Sequence, residues 1–144
     1  NITISKNKTV KRTIKKLKAR KTYYVKVRAY KKVGKTTYKG SKSKASKAYP
    51  KPAKVKITSI KSTAKGAKLY WKKVAGASGY VIYRSESKTG KYTKIKEIKK
   101  QTKISYNNTG LLKGKTYYYK VMAYRNMSGI YVYGKYSTVK QIRK

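Results

Sequence analysis

Only two side chains in the 144 residues carry a carboxylate, Glu86 and Glu97, and there is no Asp, His or Cys. Zinc, iron–sulfur and blue-copper sites need thiolate or imidazole ligands, so this composition excludes them. A Ser-His-Asp triad, a carboxylate calcium loop and paired-carboxylate acid/base work fall with them. No cofactor is implied, and the chain reads as non-catalytic. Three kinds of motif string invite a different conclusion. Gly114-Lys115-Thr116 and Gly34-Lys35-Thr36 resemble the end of a phosphate-binding loop. That loop needs a Gly five positions earlier, where Thr109 and Ala29 stand, and it must open a helix rather than enter a strand. Ser-x-x-Lys strings such as Ser41…Lys44 arise by chance in so Lys-rich a chain. Asn-x-Ser/Thr at Asn107 and Asn126 matters only in a eukaryotic secretory setting, which nothing in the sequence supports.

What remains is charge. Lys and Arg number 42 against the two acids, a formal net charge of +40, and Lys outnumbers Arg 36 to six. Lys is a hydrated point charge, whereas Arg is a planar fork suited to reading carboxylates or bases. Lys spread evenly along the chain therefore implies diffuse, salt-sensitive attraction to a polymeric anion. The repulsion among these charges is only partly screened by a Debye length of ~8 Å, so an anion-rich partner should ease folding. No recognition helix, zinc finger or aromatic RNA-binding signature accompanies the charge.

The elements that carry this charge follow from an internal repeat. Residues 17–50 align without a gap on residues 111–144, at an offset of about 94 positions, the size of a small domain rather than a solenoid unit. Leu17-Lys-Ala-Arg-Lys-Thr-Tyr-Tyr-Val-Lys-Val-Arg-Ala-Tyr30 matches Leu111-Leu-Lys-Gly-Lys-Thr-Tyr-Tyr-Tyr-Lys-Val-Met-Ala-Tyr124, and Gly40 and Ser43 match Gly134 and Ser137. Pro50 and Pro52, the only prolines, mark residues 50–52 as a stiff linker. Residues 53–144 are then one complete module. Residues 1–49 form the C-terminal half of another, lacking whatever corresponds to 53–94, and half a module should not fold alone.

Period-two alternation predicts strands at Val55–Ile60, Ala67–Val74, Tyr80–Ser85, Tyr92–Ile98, Lys103–Tyr106, Thr116–Tyr124 and Val132–Ile142. Turn residues separate them at Lys65-Gly66, Gly76–Gly79, Lys88–Gly90, Asn107–Gly110 and Ser128-Gly129. No helical stripe and no membrane-spanning apolar run is present. Seven short strands over about ninety residues imply an all-β, antiparallel sandwich.

These residues resemble the fibronectin type III family, with 53–144 similar to a whole domain and 1–49 to its second half. The resemblance rests on Leu69 followed by Trp71, on Gly79-Tyr80-Val-Ile-Tyr-Arg84, and on Leu111 leading to Tyr117, Tyr119, Val121 and Ala123. It implies an immunoglobulin-like fold and a tyrosine corner at Tyr117 and, in the half module, at Tyr23. Both copies depart from the pattern in lacking a Pro before that Tyr, and Arg20 stands where the second copy keeps Gly114. Fold does not fix function. Read without the family, Leu69, Trp71, Tyr80, Ile82, Tyr117, Tyr119 and Val121 alternate onto one side, with Tyr23 equivalent in the half module. They read as core, with Trp71 the largest anchor at ~25 cal/mol per Å² buried.

The opposite side of the same strands carries Tyr118, Lys120, Met122 and Tyr124, with Val81 and Tyr83 beside them and Tyr131 or Tyr133 flanking. Tyr24, Lys26, Arg28 and Tyr30 are the half-module equivalents. Exposed Tyr rings between Lys side chains suit sugars or bases with their phosphates or carboxylates. The plainer reading is a solvated face on which Lys stems cover the rings. Three functions follow. One is a spacer or adhesion module of a larger secreted or wall-associated bacterial protein, like the tandem modules of Gram-positive surface proteins, held to teichoic-acid-like phosphates or acidic polysaccharide. Another is a module with a specific polyanion target, either acidic host polysaccharide or nucleic acid, although non-specific contact with nucleic acid needs no such site. The third is a subunit of a self-assembling fibre. Neighbouring modules of the same parent protein complete the expected partners, and the expected location is extracellular.

Overall fold

The computed structural model describes residues 1–144 as twelve strands with no helix. Strands β5 (Ile57–Thr63), β6 (Gly66–Trp71) and β9 (Ser105–Thr109) form one antiparallel sheet in the order β5-β6-β9. The second sheet has the order β11-β10-β7-β8, built from β7 (Gly79–Ser85), β8 (Thr93–Ile98), β10 (Thr116–Met127) and β11 (Ile130–Tyr133). Strand β12 (Lys140–Arg143) pairs with the opposite end of β10. The chain is therefore an all-β antiparallel sandwich with an immunoglobulin-like arrangement of strands.

Alternation places one side of each strand in the space between the sheets. Ala67, Leu69 and Trp71 of β6 face Tyr80 and Ile82 of β7 and Tyr117, Tyr119, Val121 and Ala123 of β10 within one buried cluster. The Trp71 ring meets that of Tyr80 edge-on, 5.4 Å between centroids. Every buried phenol here has a partner, as desolvation demands. Tyr80 accepts the Val74 N–H (3.1 Å) and donates to the Gln101 carbonyl (3.1 Å), while Tyr119 donates to Asn108 Oδ1 (2.9 Å). The Tyr117 hydroxyl accepts the Leu112 N–H at 3.0 Å, which ties the turn before β10 to that strand.

Two expected boundaries are corrected. Asn107-Asn108-Thr109 is not a turn; β9 runs through it. Asn108 points inward, and its carboxamide oxygen is satisfied by Tyr119 and by Arg84 (3.3 Å), so the strand tolerates a buried amide. The final strand, expected to run unbroken from Val132 to Ile142, divides into β11 and β12. Between them Gly134 lies under the carbonyl of Pro52, 2.8 Å from where a Cβ would stand, and the chain bends. Contact with β10 continues through the Gly134 N–H on Ala123 (2.9 Å) and the Ser137 N–H on Val121 (2.8 Å). The Ser137 Oγ accepts the Val121 N–H in return, at 3.0 Å.

Residues 17–48 repeat this geometry at the same constant offset. Strand β1 (Tyr23–Val25) pairs with β4 (Ser46–Ala48), and β2 (Tyr30–Val33) with β3 (Thr36–Lys39), in the registers of β10 with β12 and β11. Gly40 bonds Ala29, Ser43 bonds Val27, and the Ser43 Oγ accepts the Val27 N–H at 3.0 Å. The Tyr23 hydroxyl accepts the Lys18 N–H at 2.9 Å. Even the positive φ values recur: +59° at Lys16 and +70° at Gly110, +65° at Arg20 and +82° at Gly114. What does not recur is the second layer. Val121 is 0% exposed and its equivalent Val27 is 68% exposed, because no strand lies across the latter.

Candidate polyanion face

The outer side of the β8-β7-β10-β11 sheet gathers tyrosines from five segments. Lys120 stands opposite Tyr83 in the β10–β7 register, and Met122 opposite Val81. The Lys120 ammonium lies 3.8 Å from the centroid of the Tyr92 ring and 5.8 Å from that of Tyr136. Tyr136 in turn meets Tyr83 edge-on at 5.2 Å. One cation is thus held among aromatic faces, an attraction worth about 0.5–2 kcal/mol depending on desolvation.

A second cluster sits beside it. Tyr131 and Tyr133 stack at 6.2 Å with an 18° interplanar angle, and both pack on Tyr124 at 5.6 and 6.1 Å. Burial is the main reason the phenols of Tyr83 and Tyr124 are pushed up to about 12; Tyr136 adds to the first and Glu97 to the second. Glu97 takes a 2.6 Å ion pair from Lys94, which holds the carboxyl below its ordinary range. Glu86 pairs with Lys115 at 3.0 Å.

The residues named from sequence separate accordingly. Tyr83, Tyr118 and Lys120 are half-buried, and Tyr124 is 2% exposed. Tyr124 does point to the outer side, but it is not an open ring available for stacking: Tyr131 and Tyr133 cover it. Lys120 is engaged by Tyr92 rather than free in solvent. In the first repeat, by contrast, Tyr24 is 66% and Tyr30 41% exposed, and Lys26 and Arg28 are open as well. Sequence alternation missed Tyr92 and Tyr136, which enter from a loop and from the bend between β11 and β12. It also missed Tyr38 on β3, an exposed ring near Lys39.

No protein-family model matches the chain, and no curated protein matches it. Solved structures do show similarity. A Fn3-like protein from Clostridium thermocellum is 28% identical, covering 61% of this chain and 86% of its own, with a TM-score of 0.44. The chicken CNTN1 FN1–FN3 domains are 21% identical over 92% of this chain, with a TM-score of 0.49. Titin domains A168–A170 are 12% identical over 69%, with a TM-score of 0.43. The chain spans 45% and 36% of the length of these last two.

Proposed function

We propose that the chain is a non-catalytic, strongly basic, fibronectin type III-like region of a larger secreted or wall-associated bacterial protein. On this reading residues 53–144 are a complete module, residues 50–52 a linker and residues 1–49 the second half of a preceding module. It works as a spacer and adhesion module that associates electrostatically with anionic polymers such as teichoic-acid-like phosphates or acidic polysaccharide. The observation that carries this is charge: 42 cationic side chains against two carboxylates, each of which is already paired with a lysine. So large an excess on a sandwich attracts polyanions without needing a shaped pocket.

Binding to a phosphate polymer and to a uronic acid polymer, titrated across salt concentration, tests the reading. Log affinity should fall linearly with log salt for both, by roughly 10³-fold between 50 and 200 mM if six or more anionic groups are met. A strong preference for one polymer that persists at high salt would show a specific contact acting in addition to diffuse adhesion. A flat salt dependence would remove the electrostatic account altogether. The open edges of β2 and β3 favour the fibre reading as a second course, which sedimentation at high concentration decides: a monomer counts against it.

A further inference from the structure

Arginine is scarce in this chain, and two of the six meet at one cleft. The cleft, of about 440 Å³, lies at the end of the sandwich where the turn before β1 reaches it, and Arg20, Gly76, Ser78, Gln101, Arg125 and Asn126 line it. Arg125 projects from the inward-facing side of β10, one step beyond Ala123, and is 8% exposed. Its one protein partner is the Lys21 carbonyl, 3.5 Å from Nη1. A guanidinium has five N–H donors, so most of its capacity is unused on the protein side. Neither glutamate compensates it, since Glu97 is taken by Lys94 and Glu86 by Lys115.

The site is built rather than incidental. Gly76 has a φ of +73°, and a Cβ there would stand 2.6 Å from that of Ala19, so only glycine lets the turn carrying Arg20 close down on the sandwich. The Ser78 hydroxyl is spent on Asn126, accepting its N–H at 3.0 Å and donating to its carbonyl at 3.4 Å. The Gln101 amide donates to Val74 at 2.7 Å. Ser78 is therefore committed and Gln101 partly so, while Arg20 and Arg125 both line the opening. The Arg125 side chain is part-buried with no carboxylate beside it, and the planar fork of a guanidinium matches the two oxygens of a carboxylate or phosphate.

We propose that Arg125, with Arg20 at the lip, forms a discrete oxyanion subsite that takes one carboxylate or phosphate group of an anionic polymer. It deepens the polyanion reading and rests on it: diffuse lysine attraction brings the polymer, and the paired arginines hold one group of it. A charge-conserving exchange separates the two levels. Tripolyphosphate and an oligogalacturonate are titrated onto the whole chain and onto Arg20→Lys/Arg125→Lys, at low salt and at about 0.5 M, where surface attraction is largely screened. At low salt the two proteins should bind alike. At high salt the parent should keep binding and the double variant should lose about tenfold or more, because Lys supplies the charge without the fork. The probe that is retained names the source of the oxyanion. Since Arg125 is buried, Trp71 emission reports folding, and Arg20→Lys alone, at an exposed position, should show a smaller loss in the same direction. Equal loss of binding at high salt by parent and variants overturns the subsite and leaves the diffuse reading intact, whereas equal salt-resistant binding overturns both. No binding to either probe at low salt overturns both.

Discussion

The Tyr119 hydroxyl, on β10, donates to Asn108 Oδ1 on β9 at 2.9 Å, so one hydrogen bond joins the two sheets of the sandwich through its interior. Arg84 reaches the same oxygen at 3.3 Å while its guanidinium covers the Tyr117 ring at 5.2 Å. Replacing Asn108 with Ala strands a buried hydroxyl and removes an acceptor from a half-buried cation. The expected cost is about 1–3 kcal/mol of unfolding free energy, measured by urea titration with Trp71 as the fluorophore. A loss under a few tenths of a kcal/mol would show that the bond does not tie the sheets.

The repeat offers a natural control for burial. Ser137 and Ser43 make the same hydrogen bond to the same backbone position, each at 3.0 Å, but Ser137 is buried and Ser43 is exposed. Ser137→Ala should therefore cost about 1–3 kcal/mol, and Ser43→Ala within about 0.5 kcal/mol of nothing, because water replaces the lost acceptor only at the open site. Equal effects in denaturant titration would contradict the burial argument.

Self-repulsion among the lysines should appear in thermal unfolding. With a net charge of +40, raising sodium chloride from about 10 mM to 0.5 M shortens the Debye length from roughly 30 Å to a few Å, and the unfolding temperature should rise by several degrees. A polyanion at low salt should produce the same rise at far lower concentration. Scanning calorimetry in both series tests this; an unfolding temperature indifferent to salt would mean that the charge is not a destabilising load.

Tyr83 and Tyr124 give the pH dependence its sign. Their phenols titrate near 10 in the unfolded chain and at about 12 when folded, chiefly because of burial. The unfolded state thus releases protons first, so their contribution to stability is fully present below pH 10 and is lost as pH climbs toward 12. Lysines also discharge in this range and relieve repulsion, so the difference between parent and variant is the informative quantity. Tyr83→Phe and Tyr124→Phe should each lose less stability than the parent between pH 10 and 12, followed by circular dichroism in denaturant. Parallel pH profiles would show that these phenols are not buried in solution.

The sandwich itself was legible because its inward positions are large, apolar or aromatic and spaced by two, as in Leu69-x-Trp71 and Tyr117-x-Tyr119-x-Val121. Asn108 was not, since an Asn-Asn-Thr-Gly string is locally a turn signal; pairing with β6 makes it a strand, and a phenol and a guanidinium from the facing sheet satisfy its buried amide. Tyr124 could be assigned to the outer side from its register, but its cover comes from the stacked pair on β11, which alternation does not report. The Arg20–Arg125 cleft lay further out of reach. Its two arginines are more than a hundred residues apart and meet only because a turn from one repeat closes on the other, over a glycine.

The contrast between Val27 and Val121 carries a practical corollary. A protease specific for basic residues finds its target bonds everywhere in this sequence, but in the unroofed repeat nearly all of them lie in exposed backbone, whereas in the complete module the exposed ones outside strands are confined to its loops. Digestion should accordingly run in two stages, a rapid loss of the N-terminal third followed by a long-lived limit fragment beginning close to Pro52. The length of that lag is a direct clock for how often the closed layers part.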